Sequence, residues 1–434
     1  MDLLAKFKGT MLGLAIGDAL GAPLEGLKAG HIKELFGRVS GFVDPEAIFK
    51  PKPWRYIPKG VWTDDTQQAL CLSESLVRCY GFNANDFIKT FLKLWEFDEE
   101  KQIRAFRRTG TVFKKVMEGY QSGMKAFKAG APSAGIGAGM RVAPVGLYFY
   151  EDKELLVKSA IEQALITHTD PRAIALSGTV AWIVGNVLDE EWERQKLKDK
   201  IEQLIDGVFE IEKKIETDYI AYLPARVYDY FGLFYKSVVA FKHWQGMEKE
   251  LVYQQIVNLA NQAFPRQKIT SPAQNFALAC GITSVFLGLT SSDFETGMIE
   301  AINLGRDADS LGAMTGAILG ARFGEEGIPV EWRESLKDAE QICLWACALY
   351  QKGFNGLKLR NLVELEKELT EFVVKEQEKF YERMVSKGEF VPKTETKKAE
   401  SKISKLDKAQ IKFLKGKKKY KIKREKSPWR RWED

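Results

Sequence analysis

The stretch GTMLGLAIGDALGAPLEG, residues 9–26, spaces glycines four residues apart, and the stretch NLGRDADSLGAMTGAILGARFG, residues 303–324, repeats the pattern. Glycine costs about 1 kcal/mol relative to alanine at each interior helix position, so two such runs need a structural reason. A spacing of four brings the glycines to one face of a helix. Because glycine lacks a Cβ, the pattern predicts closely packed helices. The glycines are Gly9, Gly13, Gly17, Gly21, Gly312, Gly316, Gly320 and Gly324.

Apolar residues recur at three- and four-residue spacing along most of the remaining chain, as amphipathic helices require. Alternating, strand-like runs are few, and the best of them, 142–150, contains Pro144 and Gly146. The Pro-rich segment 37–61 and the Gly-rich segment 123–139 are typical of irregular structure. The sequence therefore predicts an all-α protein. The helical windows are 70–77, 87–95, 155–166, 201–215, 251–263, 276–289 and 339–350.

The composition excludes several classes of protein. Of the 434 residues, 45% are hydrophobic and 12% aromatic, which indicates a globular chain rather than a disordered one. Three histidines are too few for a His-rich zinc site. The five cysteines include no C-x-x-C pair, which favours free thiols in a reducing compartment over a disulfide framework.

The apolar segments do not predict a membrane protein. The uncharged run 173–188 is shorter than the roughly 20 apolar residues that cross a bilayer, so we interpret it as a buried core helix. Residues 1–21 resemble a signal peptide only superficially, because Asp18 directly follows a short apolar run. We therefore expect a soluble, cytoplasmic protein without membrane contact.

The net charge of +6 is unevenly distributed along the chain. Residues 393–434 hold 17 Lys and Arg against 6 Asp and Glu, a net charge of +11, which leaves −5 for residues 1–392. The sequence thus predicts a helical domain, 1–390, followed by a basic, aromatic-containing tail, 391–434. Three interpretations of the tail remain open: a flexible solvated segment, a nucleic-acid-binding segment, or a docking segment for an acidic partner.

Two clusters place a pair of carboxylates and a hydroxyl at the start of a predicted helix: TDDT at 63–66 and DADS at 307–310. Each cluster alone could serve as a helix N-cap, where Asp, Ser and Thr are favoured. Close packing of the glycine-striped helices could bring the two clusters together, and four converging carboxylates repel one another unless cations bind them. All-oxygen ligands favour Mg²⁺, Mn²⁺ or Ca²⁺, so the pair of clusters predicts a two-metal site.

Three further side chains accompany these clusters, each with a plain alternative. Asp18 and Glu25 lie near the end of the first glycine run. Asp18 could simply support the first helix, and Glu25, which follows a Pro turn, could be an exposed surface carboxylate. His168 precedes a predicted core helix, where a structural or capping role is the alternative to a place in the site.

Five stretches, in this order, resemble the ADP-ribosylglycohydrolase family, which includes dinitrogenase reductase-activating glycohydrolases and ADP-ribosylarginine and ADP-ribosylserine hydrolases. They are residues 9–26, WTDDTQQAL at 62–70, GAGMRVAPVGL at 137–147, THTDP at 167–171 and residues 303–324. The resemblance extends from about residue 5 to about residue 350. It implies a compact, orthogonal, multi-helix globule, to which the basic tail is an addition.

The resemblance also implies the members of the site. Two Mg²⁺ (or Mn²⁺) ions would lie between the two acidic clusters, Glu25 would be the catalytic acid near the scissile bond, and a glycine-rich loop would bind the ADP-ribose. The implied metal ligands are Thr63, Asp64, Asp65, Asp307, Asp309 and Ser310, and the implied substrate-binding residues are Gly135, Gly137, Met140 and His168. Three positions depart from the family pattern: Ile136 replaces Asn, Arg306 replaces Gly, and Ser310 replaces Thr.

By this resemblance we expect a metal-dependent hydrolase that cleaves an N- or O-glycosidic bond to ADP-ribose on a modified protein or other acceptor. The alternative is a non-catalytic ADP-ribose or nucleotide binder on the same fold, with a nucleic-acid-binding tail. Ile136 and Arg306 favour the binder, whereas the complete acidic clusters favour the enzyme.

Overall fold

The computed structural model describes residues 2–50, 52–264 and 268–389. These residues form an almost entirely helical protein. The α-helices are α1 Leu3–Gly21, α2 Ala29–Phe36, α3 Glu46–Phe49, α4 Asp64–Cys79, α5 Ala84–Trp95, α6 Thr111–Gln121, α7 Ala143–Tyr148, α8 Lys153–Leu165, α9 Pro171–Val187, α10 Glu190–Arg194, α11 Leu197–Asp218, α12 Leu233–Val239, α13 Lys249–Ala263, α14 Ile282–Thr290, α15 Phe294–Asn303, α16 Ala308–Phe323, α17 Val330–Ser335, α18 Ala339–Tyr350 and α19 Leu362–Ser386.

Shorter elements connect these helices. A two-stranded antiparallel hairpin pairs β1, Phe97–Asp98, with β2, Ile103–Arg104. One turn of π-helix, Ala277–Gly281, leads directly into α14. The short 3₁₀ segments are Ala22–Leu24, Pro53–Arg55, Ile220–Tyr222, Ala225–Tyr230, Ala240–His243 and Glu325–Gly327.

The two glycine-striped helices, α1 and α16, lie antiparallel in backbone contact. A Cβ added to Gly13 would lie less than 3.0 Å from the carbonyl oxygen of Gly316, and a Cβ added to Gly17 would meet Gly312 in the same way. Real Cβ atoms do not approach other atoms this closely, so a larger residue at these positions must displace a backbone. The predicted close packing is confirmed. Gly324 lies just past the end of α16, with a φ of 66°, and its backbone still contacts Gly9 of α1.

Both glycine-striped helices are buried all round, which is typical of helices at the centre of a large core. Every residue of α1 from Gly9 onward is buried, and so is every residue of α16 up to Ala321. Helices α9, α14, α15 and α18 pack around this pair. The core therefore surrounds a central pair whose ends fix where the preceding and following loops lie.

The all-α prediction is confirmed, with one local correction. The segment 142–150, the best strand-like run in the sequence, forms α7. Its Pro144 lies in the first turn of the helix, where the missing N–H does no harm. The predicted core helix 173–188 is α9 and is almost wholly buried. None of the helices within the described residues is long and apolar enough to cross a bilayer.

The remaining sequence expectations have mixed outcomes. All five cysteines are free thiols. Segment 37–61 is largely irregular, with two helical turns, and segment 123–139 forms turns and loops. The predicted tail, 391–434, lies outside the described residues, so its partners stay predictions, as does the domain boundary.

The backbone contact between α1 and α16 leads to a stability prediction. We expect Gly13→Ala to lower the free energy of unfolding by about 2–3 kcal/mol, because the added methyl group overpacks a backbone contact. Gly30→Ala is the control. Gly30 lies within α2, and a Cβ there meets none of the described residues within 4 Å. Alanine should stabilise that helix slightly. Urea denaturation measures both, and equal midpoints would contradict the packing argument.

Candidate active site

The antiparallel contact brings the end of α1 to the beginning of α16. A Cβ on Gly21 would lie less than 3.0 Å from the carbonyl oxygen of Ala308, the first residue of α16. Two backbone hydrogen bonds join the following segments, from the Gly26 N–H to the Arg306 carbonyl and from the Arg306 N–H to the Leu27 carbonyl, each 2.6 Å. The turn that carries Glu25 is thereby fixed beside the second acidic cluster.

Asp18 fixes the first acidic cluster against α1. Its buried carboxylate accepts hydrogen bonds from the backbone N–H groups of Thr63 (2.9 Å) and Thr66 (3.0 Å) and from their hydroxyls (2.8 and 2.6 Å). Thr63, the N-cap residue of α4, makes no side-chain capping bond of its own within the described part of the chain. Asp18 therefore caps α4 from another helix, a role that the sequence does not reveal, since it depends on a contact between distant segments.

The four aspartates of the two clusters face one cleft, and their environment penalises negative charge. Burial, together with the charges of Asp18 and Glu25, raises the pKa of Asp64 to about 7. Burial and the charge of Glu25 raise the pKa of Asp307 to about 7.

The other two carboxyls are affected more strongly. Burial and the charges of Asp18 and Asp64 raise the pKa of Asp65 well above its usual range. Burial and the charges of Glu25 and Asp307 do the same for Asp309. Together the four carboxyls form an acidic region at the bottom of the cleft, whose ionised state a bound cation would stabilise.

The donor chemistry of this region fits a hard divalent cation. Among the described residues, Asp65 Oδ1 and Asp307 Oδ2 are buried without a hydrogen-bond partner, and such atoms are uncommon unless an unseen group binds them. Ser310 contributes a hydroxyl in the same wall. The described residues contain no group of three or more His, Cys, Asp or Glu side chains already converged on one metal position. The carboxylates of the described residues are therefore close to one another, but no three of them surround a single metal position.

Glu25 lies at the rim of the cleft, with 33% of its side chain exposed. Its Oε2 accepts hydrogen bonds from Arg55 Nη2 (3.1 Å) and Arg108 Nη1 (3.3 Å). Arg108 is anchored in turn by the carbonyl oxygens of Ala22 and Arg55, each at 2.6 Å. The two arginines, which the sequence did not single out, fix the orientation of this carboxylate.

The glycine-rich loop lies close to His168 and Asn275, which leave little room for a side chain at Gly137 and Gly135. A Cβ on Gly137 would lie 3.0 Å from His168 Cε1, and a Cβ on Gly135 would lie 3.2 Å from Asn275 Oδ1. Burial and the charge of Arg141 lower the pKa of His168 to about 3, so the imidazole is neutral. Its Nδ1 is 2.8 Å from the hydroxyl of Thr167.

Asn275 brings a side-chain amide next to position 136 of the loop, where this chain has no amide side chain of its own. Ile136 stands where the family pattern has Asn, and its side chain is buried. Its backbone N–H donates to Asn275 Oδ1 at 3.4 Å. Arg306 adopts a φ of 58°, the left-handed conformation that favours the Gly of the family pattern. Its side chain bonds to the Thr270 hydroxyl and does not line the cleft within the described residues.

Arg141 connects the loop with the first acidic cluster. It donates to the Gly137 carbonyl (3.0 Å) and to Gln68 Oε1 (2.8 Å), and Gln68 donates to Asp64 Oδ2 (2.7 Å). Burial lowers the pKa of the Arg141 guanidinium to about 9. The positive charge next to Gly137 and His168 therefore comes from Arg141, which the sequence prediction missed although it lies within the stretch 137–147.

One cleft of about 750 Å³ collects these groups. All the predicted site residues line it except Thr63, which is buried behind Asp65 and hydrogen-bonded to it. An aromatic wall completes the cleft, where Arg172 stacks 3.7 Å from the ring centroid of Tyr230 and pairs with Asp170 at 2.7 Å. Phe264 and Phe276 stack on each other in the same wall.

The sequence profile of the ADP-ribosylglycohydrolase family matches residues 1–357. The chain belongs to the ADP-ribosylglycohydrolase family. The resemblance predicted from the five stretches is thereby confirmed, as is the expected fold.

Similar proteins share the match over most of their length. ADP-ribosylhydrolase ARH3 of Gallus gallus is 27% identical over 357 residues, which are 80% of this chain and 93% of the relative. ADP-ribosylarginine hydrolase Tri1 of Serratia proteamaculans is 26% identical over 345 residues, 79% of this chain and 78% of the relative. A solved structure, described as an ADP-ribosylglycohydrolase-related protein complex, has a TM-score of 0.56 and 28% identity, covering 81% of this chain and 98% of its own. These likenesses support a hydrolase of ADP-ribosylated substrates.

Helix α19 begins after the last residue that matches the glycohydrolase family, yet it supports the cleft from behind. Its Glu366, 0% exposed, accepts hydrogen bonds from Trp62 Nε1 (3.1 Å), Gln67 Nε2 (2.7 Å) and Arg107 Nη1 (2.7 Å). Arg107 also donates to the Trp62 carbonyl at 3.1 Å. Glu366 therefore fixes both ends of the segment that carries the first acidic cluster of the glycohydrolase.

This network predicts that Glu366→Gln lowers the free energy of unfolding by about 3 kcal/mol. The amide leaves the buried Arg107 charge without its carboxylate and places donors opposite donors. Glu368→Gln is the matched control on the same helix. Its side chain is 59% exposed and pairs with Arg360, so its loss should cost less than about 1 kcal/mol. Chemical denaturation, followed by circular dichroism, measures the free energy of unfolding of both variants. Similar losses of stability would refute the structural role assigned to Glu366.

Proposed function

We propose that the protein removes ADP-ribose from a modified acceptor by metal-dependent hydrolysis. Water would add across the glycosidic bond at C1 of the distal ribose, with its hydroxyl going to C1 and its proton to the acceptor. The observation that carries this proposal is the acidic region formed by four aspartates, three of them buried, with two carboxylate oxygens that have no partner among the described residues. An oxocarbenium-like transition state suits such a region.

Six side chains would hold two Mg²⁺ or Mn²⁺ ions between α4 and α16. When bound, the ions would supply Lewis-acid stabilisation to the ribose hydroxyls and to the attacking water. The Thr63 hydroxyl, which donates to Asp18, also lies 3.1 Å from Asp65 Oδ2 and so connects the two carboxyls. The proposed ligands are Thr63, Asp64, Asp65, Asp307, Asp309 and Ser310.

Glu25 would handle the proton of the attacking water. It is a partly exposed carboxylate, oriented by Arg55 and Arg108, and its charge acts on Asp307 and Asp309 of the acidic region. The neutral His168 and the loop at Gly135 and Gly137 would line the ADP-ribose, whose flat adenine suits the aromatic wall. A cleft of about 750 Å³ is of the size that binds small-molecule ligands and cofactors.

A non-catalytic ADP-ribose binder is the second candidate, favoured by Ile136. The Asn275 amide beside the Ile136 N–H weakens that case, because it returns an amide to the loop. Arg306 no longer supports it, since its side chain does not line the cleft within the described residues.

A panel of ADP-ribosylated arginine and serine peptides, with and without Mg²⁺, tests the proposal. We expect release of ADP-ribose that requires the metal, and Asp309→Asn should lower kcat/KM by about 100-fold. The control is Asp293→Asn, the same change at the N-cap of α15, where Asn caps equally well. Isothermal titration with Mn²⁺ should show weaker binding for Asp309→Asn alone. Binding of ADP-ribose without turnover of any linkage would instead favour the binder.

A second substitution isolates the proposed role of Glu25. Glu25→Gln should lower kcat by about 10²–10⁴-fold with little change in KM, because proton transfer is lost while the binding surface is kept. Glu46→Gln is the matched control: Glu46 is 31% exposed and pairs with Arg383 at 2.6 Å, away from the cleft. Steady-state kinetics on the best substrate of the panel distinguishes the two variants. An unchanged kcat for Glu25→Gln would remove this residue from the mechanism.

A further inference from the structure

A second, smaller cavity of about 330 Å³ adjoins the cleft. The two spaces share Glu25 and Arg108, so they meet at the carboxylate that the proposed function places beside the scissile bond. Helix α19 forms one wall of the smaller cavity through Thr370, Val373 and Gln377. Since α19 lies beyond the residues that match the family, this cavity is partly built from sequence outside the family match.

The walls of the second cavity are strongly basic. Glu25 is the one acidic side chain among its described lining residues, and it is already shared by two guanidiniums. Arg104 lies 4.6 Å from the ring centroid of Trp95, which holds the guanidinium in place. The basic lining residues are Arg55, Arg104, Arg107, Arg108 and Lys114.

Arg107 provides an independent reason to expect a ligand. Its side chain is buried, and its Nη1 is bound to Glu366. Its Nη2 is also buried, and it has no hydrogen-bond partner among the described residues. A buried, charged N–H without an acceptor is costly, and because Arg107 lines the cavity, an oxygen anion bound there would bring negative charge to this side chain.

We propose that this cavity binds an oxyanion, a phosphate or a carboxylate, carried by the acceptor next to the bond that joins it to ADP-ribose. The inference rests on the proposed function, because it places ADP-ribose in the larger cleft and the acceptor in the smaller cavity. A cationic acceptor is disfavoured, since its guanidinium or ammonium group would enter a cavity lined by five basic side chains. The substrate class is therefore an ADP-ribosylated acceptor with an acidic neighbouring group.

Titration of inorganic phosphate tests the cavity without relying on turnover. ADP-ribose and Mg²⁺ are added first to occupy the larger cleft. We expect phosphate to bind the wild-type protein, and Lys114→Gln to weaken it by about five- to tenfold. Lys115→Gln, which removes an equal charge from the exposed neighbour outside the cavity, should bind phosphate as the wild type does. Acetate, titrated in parallel, distinguishes a carboxylate site from a phosphate site. Equal affinities for both lysine variants, or no binding, would overturn the inference.

Substrate preference gives the second readout. Three ADP-ribosylated peptides differ only in the residue beside the linkage: phosphoserine, alanine or lysine. We expect kcat/KM to be about tenfold higher with phosphoserine than with lysine, and Lys114→Gln to reduce that ratio. Equal turnover of all three would refute the oxyanion site while leaving the glycohydrolase proposal intact. If no peptide is hydrolysed, the proposed function fails, and the phosphate titration alone decides whether the cavity binds an anion.

Discussion

The arrangement of the site depends on the backbone contact between α1 and α16. Because glycines line the contact, the two helices approach more closely than side chains would permit, and their opposite directions bring the end of one to the start of the other. Asp18 and Glu25 come from the end of α1 and the turn after it, and Asp307 and Asp309 from the start of α16. A shift of one helix along the other would separate these pairs.

Two buried carboxylates then fix the remaining acidic segment from opposite sides. Asp18 accepts four hydrogen bonds from Thr63 and Thr66, and Glu366 binds Trp62 and Gln67, the residues just outside them. Charge-assisted hydrogen bonds therefore hold residues 62–67 at both ends, and such bonds are about twice as strong as neutral ones. Such support restricts Asp64 and Asp65 before any cation binds, which reduces the conformational entropy lost on binding.

The sequence predicted the parts of the site that depend on local pattern. Glycine spacing gave the helix contact, and paired carboxylates beside predicted helices gave the two clusters that line the cleft. Residue patterns of this kind report which face a side chain occupies but not which distant partner it meets. Asp18 as the cap of α4, Asn275 beside Ile136, and Glu366 behind Trp62 all depend on contacts between remote segments. The strand-like segment 142–150 was ambiguous because apolar alternation and a short buried helix look alike over nine residues.

Acidic and basic side chains are segregated within the cleft, as they are between the helical domain and the basic tail of the sequence. The bottom of the cleft concentrates carboxyls whose pKa values rise because they are buried near one another, and the proposed cations would stabilise their ionised forms. The rim and the adjoining cavity concentrate guanidiniums around the single carboxylate of Glu25, and that region attracts anions. The net charge of +6 does not reveal this segregation, because it is the sum of a basic tail and an acidic domain. The cleft of that domain itself contains both acidic and basic side chains.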